Sequence, residues 1–184
     1  MQQFIVLKRI TLTLQQMLER GLVEALGRKV PVVFRHDPSL SEQVGLLQVG
    51  IQRRGEVLDR EFEIVDGVET FRNPPIGLRV QYLVSAWATP PEDQALLGAV
   101  LRIMHDNSRL DLSEEDSEIV GYSGTPEASL DTLTVSEHRE LASAVGAPFG
   151  PSVGYWIDFN LRSGVTTQIK RVRERVMDFR KIEG

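Results

Sequence analysis

The sequence predicts a single α+β domain, and three observations carry that reading. Apolar stripes at helical spacing occupy the N-terminus and recur after residue 91. A β-rich run from Ile76 to Trp87 stands between them. The length, 184 residues, suits one core and falls short of two full domains. With 41% hydrophobic and 26% charged residues, the chain can bury enough surface to offset its conformational entropy.

The first helix is predicted from Phe4 to Leu26, where Phe4, Leu7, Ile10, Leu14, Leu18, Leu22 and Leu26 recur every three or four residues and Gly27 stops the pattern. Gly21 inside it implies a bend or a close contact, since glycine there costs about 1 kcal/mol relative to alanine. Val30 to Phe34 is β-branched and precedes His36-Asp37-Pro38, a strand entering a turn. Val44 to Ile51 forms a second strand. Between Gln52 and Pro75 the pattern weakens into charged stretches, a variable loop of about 52–73, in which Phe62, Ile64 and Val68 flank Asp66-Gly67 as a short hairpin.

Ile76 to Trp87 alternates Leu78, Val80, Tyr82 and Val84 on one face with Leu83 and Trp87 on the other, the pattern of a central strand that is apolar on both sides. Prolines at 74, 75, 90 and 91 mark where elements begin. Thr89-Pro90-Pro91-Glu92 reads as a capping box opening a second helix, with Leu96, Leu97, Val100, Leu101 and Met104 as its buried stripe. Residues 111–118 form an acidic connector, and Ile119–Tyr122 and Leu130–Val135 each read as a short strand. Thr134 with Glu137, or Ser136, caps a third helix that carries Leu141 and Val145 and ends at Gly146. After the rigid turn from Ala147 to Pro151, a strand from Val153 to Leu161 places Tyr155, Ile157 and Phe159 on one side. Ile169, Val172, Val176 and Phe179 fit a helical stripe, but Ile169, Arg171, Arg173 and Arg175 also fit one face of an extended arm. The reading therefore divides the chain into residues 1–161 and a basic C-terminal arm, 162–184.

Charge separates the same two parts. Residues 162–184 carry seven cations against three anions, a net of +4, which leaves −9 on the rest given −5 for the whole. An acidic bulk disfavours nucleic acid as a partner, because neutralising phosphate takes Lys and Arg. A basic arm meeting an acidic protein surface fits better. No apolar run approaches the ~20 residues that span a bilayer, so membrane insertion is not expected. The N-terminal stretch lacks the order of a signal peptide, and a cytoplasmic location is expected.

Reactive constellations are missing from the sequence. Zero cysteines exclude disulfides, thiolate zinc sites and a cysteine nucleophile. His36, His105 and His138 are far apart and have no partner at ligand spacing, so each reads as ordinary surface or core structure. Glu114, Glu115, Asp116 and Glu118 lack the glycine and alternating oxygens of a calcium loop. Neither glycine-rich phosphate motif occurs, and Gly121-Tyr122-Ser123-Gly124 has the wrong spacing for a nucleophile elbow. Gln52-Arg53-Arg54 sits among carboxylates as a mixed-charge loop. Neither an enzyme nor a cofactor is expected. A small adaptor or regulatory protein using its basic arm is the alternative to the reading that follows.

Two blocks, Pro74 to Asn107 ("LRVQYLVSAWA" and "LLGAVLRIMHDN") and Leu133 to Arg162 ("LTVSEHRELASAVGAPFGPSVGYWIDFNLR"), resemble the small cap proteins of bacterial contractile injection systems, particles of the virulence-cassette and antifeeding-prophage type. Gly146, Pro148, Phe149, Pro151, Ser152 and Tyr155 fill the family's turn motif. The segment 52–73 departs from it, being a charged hairpin-like stretch where a shorter arginine-bearing loop is expected. The resemblance implies a tail-terminator-like domain: a mixed or antiparallel sheet packed with about three helices, plus a C-terminal arm. It also implies six copies in a ring, with the inner tube and the sheath as partners. On this reading the candidate interface residues are Trp87, Gly146, Pro148, Phe149, Pro151, Tyr155, Trp156, Arg171, Arg173 and Arg175.

Overall fold

The computed structural model describes residues 5–55, 59–65, 67–112 and 122–168. Among them the elements run α1 (Ile5–Leu26), β1 (Val32–Val33), β2 (Gln43–Arg53), β3 (Glu61–Val65), β4 (Val68–Arg72), β5 (Ile76–Trp87), α2 (Glu92–Asp106), β6 (Tyr122–Asp131), α3 (Val135–Ala144), β7 (Ser152–Leu161) and β8 (Thr166–Gln168). A five-stranded sheet has the order β1-β2-β5-β7-β6, with only the β1–β2 pair parallel. A smaller antiparallel sheet, β3-β4-β8, stands apart from it in hydrogen bonding. The α+β class is as predicted, and the run from Ile76 to Trp87 is the central strand.

Helices α1 and α2 cover one face of the large sheet. Val6, Ile10, Leu14, Leu18 and Leu22 of α1 are fully buried, and Val44, Val80, Tyr82, Val84, Ile157 and Phe159 meet them from alternate strand positions. Leu7 and Leu26, at the ends of the expected stripe, are only partly buried. Gly21 marks a close contact: a Cβ there would lie 2.8 Å from Ile103 of α2. The polar tip of Tyr82 is satisfied within this core. Its hydroxyl lies 2.7 Å from Thr11 Oγ1, which itself donates to the Leu7 carbonyl at 2.9 Å. Burial nonetheless pushes the Tyr82 pKa above the usual tyrosine range.

Several expectations need correction. Thr89 does not cap α2: the helix starts at Glu92, so position 91 is the cap and Thr89 contributes only its carbonyl, which accepts from Glu92 N at 2.9 Å. Glu92 and Asp93 serve the first turn through their charge instead. The buried stripe of α2 runs through Asp93, Leu96, Val100, Ile103 and Met104; Leu101 faces solvent. The strand expected over residues 30–34 shrinks to Val32–Val33. The strand expected over Leu130–Val135 is instead the end of a longer strand, β6 (Tyr122–Asp131), and Val135 opens α3; of the strand expected over Ile119–Tyr122 only Tyr122, the first residue of β6, is described. Residues 119–121 lie outside the described residues. The hairpin around residues 66–67 is present, with Gly67 at φ +77°. Within the arm expected over residues 162–184, Thr166–Gln168 pair with β4.

Candidate assembly interface

The opposite face of the large sheet is divided. At the end where β5 stops, α3 and the turn after it cover Leu47, Leu83 and Trp87, which form a second, small cluster with Ala142. At the other end Arg79, Gln81, Trp156 and Asp158 are only partly buried.

Sequence accounts for how the covered end is built. Thr134 Oγ1 accepts from Glu137 N at 3.3 Å, and a Glu137 carboxylate oxygen accepts from Thr134 N at 2.7 Å, the predicted capping box. The hydrogen bonds that the Thr134 N–H and then the Thr134 hydroxyl donate to it hold the Glu137 carboxyl below the usual glutamate range. At the far end Gly146 takes φ +67°, its N–H reaches the Ser143 carbonyl at 3.1 Å, and Ala147 N–H reaches Ala142 at 2.9 Å, a Schellman stop that needs glycine. The turn beyond is pinned to the sheet twice. Ala86 N donates to the Pro151 carbonyl at 2.9 Å, and Trp87 Nε1 donates to Pro148 at 3.2 Å. Trp87 is itself buried against the His36 ring, 4.8 Å away edge-on, and against Gly45, where a Cβ would lie 2.4 Å from the indole.

The sequence-predicted residues thus occupy three settings. Trp87, Gly146, Pro148 and Pro151 together build the turn, and Trp87 is used inside the chain. Phe149 at the turn's tip is 54% exposed, with Arg139 5.3 Å over its ring. Beside it runs a groove of about 350 Å³ lined by Val135, His138, Phe149, Gly150, Pro151 and Ser152. His138 Nδ1 lies 3.1 Å from the Thr134 carbonyl, while its Nε2 is buried with no hydrogen-bond partner. Tyr155 and Trp156 are adjacent in β7 and so point to opposite faces. Tyr155 enters the helix-covered core, where burial raises its hydroxyl pKa. Trp156 lies on the open face under Arg79, whose guanidinium is 5.6 Å from the ring and makes two contacts of 2.7 Å with Asp158. Arg171, Arg173 and Arg175 lie outside the described residues.

Sequence reasoning missed the outward face of the small sheet. Phe62 and Phe71 are opposite one another with ring centroids 5.9 Å apart, and Ile64 lies two residues along. The alternation in "EFEIV" facing "VETFR" carried that signal. Among the described residues no group of three metal-binding side chains gathers, and no helix is long and apolar enough to cross a membrane.

Fold and surface together define a small α+β packing module whose conspicuous groups are apolar and ionic contacts. The chain belongs to the Pvc16 N-terminal domain family, whose sequence pattern matches residues 9–170. Among curated proteins none matches it. Two solved structures share the fold at low identity. One is the sheath/tube terminator, in the extended state, of an extracellular contractile injection system of the PVC type: TM-score 0.63, 11% identity, 94% of this chain and 65% of that one. The other is the tube-terminating cap of the anti-feeding prophage: TM-score 0.59, 14% identity, 89% of this chain and 59% of that one. The chain therefore spans about three-fifths of the length of these relatives. The likeness to cap proteins of contractile injection systems found in the sequence holds at the level of family and fold.

Proposed function

We propose that this chain is a structural cap: it closes the end of the inner tube of a contractile, phage-tail-like particle as a ring of six copies and anchors the last layer of sheath. The observation that carries the reading is the family match across residues 9–170, supported by the shared fold of the two solved terminators. Physical logic supports it as well. Copies related by rotation form a closed ring only through two different patches per subunit, and a terminator must offer no new surface for a further layer. Phe149 with its groove and the open face around Trp156 supply separate patches on one rigid sheet.

The cation-rich segment after Gln168 is the proposed link to sheath, with charge guiding its approach to an acidic surface. Because Thr166–Gln168 form β8, the informative truncation removes residues 169–184 only. Mixed with purified tube and sheath, the full chain is expected to place a ring on tube ends and retain sheath, as seen by electron microscopy. The truncated chain should still ring the tube but lose sheath. Bare tube ends with the full chain would overturn the cap reading; sheath retained by the truncated chain would overturn the role of the tail.

A further inference from the structure

The ladder between β5 and β7 is carried on, after a break, by β4 and β8. Ile76 pairs with Leu161 at the end of the large sheet, and Arg72 pairs with Thr166 at the start of the small one. Between them lie Asn73-Pro74-Pro75 on one side and residues 162–165 on the other. Neither proline has an N–H to donate, so the ladder cannot run straight through, and it resumes one residue out of step. Asn73 N donates to the Val165 carbonyl at 3.1 Å and restarts the pairing. Strand β8 then runs antiparallel to β4 as far as Gln168, opposite Thr70, heading toward the hairpin turn at Gly67.

Three exposed polar residues cannot hold such a strand in place by themselves. Side chains of the hairpin hold the crossover that precedes it. Arg162 Nε donates to Glu61 at 2.6 Å, while Arg72 Nη2 donates to Glu63 at 2.6 Å and its Nη1 to the Ser163 carbonyl at 2.6 Å. Arg72 thus ties β3, β4 and the crossover together. Its side chain is 13% exposed and that of Glu63 21%, so these charge-assisted bonds are shielded from most of the water that weakens surface ion pairs. Thr70, buried in the same sheet, donates to the Glu63 carbonyl at 3.1 Å. The hairpin adds nothing to the main core: Phe62, Ile64, Val68 and Phe71 belong to neither apolar cluster. What it grips is the crossover and β8.

We propose that the β3–β4 hairpin is a bracket for the C-terminal segment, with Arg72 and Arg162 as positioning residues that fix where the cation-rich chain after Gln168 leaves the molecule. The inference rests on the reading of that segment as the link to sheath and names what aims it. A tail anchored at Gln168 searches a smaller volume than one free from Leu161 onward. Anchoring therefore raises its effective concentration at a fixed neighbouring surface and lowers the entropy lost on docking.

Amide hydrogen exchange reads the bracket without any partner. Arg72→Met keeps the stem and removes the charge, and Arg162→Gln loosens the second grip. In both, exchange at Thr166–Gln168 should quicken by at least about tenfold while β5 and β7 stay protected. On assembled tube ends both variants should still form the ring but retain about fivefold less sheath. The chain has no cysteine, so the root can be restored chemically. Phe71→Cys and Thr167→Cys, opposite one another across β4 and β8 and joined by a short thiol-to-thiol linker, should return sheath retention to either variant. Unchanged exchange in both variants, undiminished sheath retention, or retention that stays low after linking overturns the bracket. So does loss of sheath from the otherwise native chain once linked, since β8 would then have to leave β4 to work. A native chain that rings tube ends without retaining sheath overturns the reading of the tail instead, and the exchange measurement separates that failure from this one.

Discussion

The two faces of the five-stranded sheet are made by the same strands yet meet different fates. On the helix side, Val80, Tyr82, Val84, Ile157 and Phe159 alternate into one continuous core under α1 and α2. On the other, the core shrinks to a cluster around Leu83 and Trp87, then gives way to Arg79, Gln81, Trp156 and Asp158. One face carries the main core; the other holds a turn in place and leaves a polar, aromatic surface partly exposed. The difference teaches where stability and assembly should separate under mutation.

The largest effect is expected on the helix side. Leu18 is fully buried, so Leu18→Ala should cost about 3 kcal/mol in urea denaturation, the lost transfer energy plus a cavity that packed helices cannot close. Gly45→Ala tests the small cluster. A new Cβ would lie 2.4 Å from the Trp87 ring, which cannot retreat without releasing Pro148, so a loss of about 2 kcal/mol is expected from overpacking. A neutral result would show that the Trp87 cluster is loosely packed and erase much of the contrast. Thr134→Ala removes the cap of α3 and should cost about 1 kcal/mol. On the open face, Arg79→Gln should change stability by less than about 1 kcal/mol, since the ion pair with Asp158 is partly solvated. A loss of several kcal/mol there would mean that the open face also supports the fold.

Legibility in the sequence follows the same division. The α1 stripe, the central strand, the capping box at Thr134 and the hairpin around Gly67 were readable because each depends on local periodicity or on a single turn residue. Strand β6 was not. It is an edge strand containing Gly124 and Pro126, with a register shift between Ser123 and Glu127, so it lacks a clean alternation and has a single β-branched residue, Thr125. Strand β8 is three polar residues held by pairing with β4, a tertiary fact. The α2 start was misread because a threonine two residues too early satisfies the capping pattern but not the geometry. For the candidate surface, the sequence shows that Trp87 and Phe149 matter to one turn. Which ring is buried and which faces out depends on Gly45 lying under Trp87 in the folded sheet.

The smallest expected effect isolates α3 and the turn it carries. Glu137 is solvent-facing, and its carboxyl titrates low because Thr134 N–H and the Thr134 hydroxyl bind its charged form. A carboxyl whose folded pKa is depressed stabilises the fold at pH values above its unfolded pKa, and that contribution disappears as pH falls through the folded pKa. Acidification below the ordinary glutamate range should therefore open the first turn of α3 while the α1–α2 core persists. Amide hydrogen exchange should speed up at Glu137 and His138 but not at Leu14 or Leu18. In Thr134→Ala the Glu137 titration should return upward and the pH-dependent exchange should vanish. Simultaneous loss of protection in α1 and α3 would mean that the small cluster and the main core open as one unit, so that the two faces of the sheet are not separable in stability.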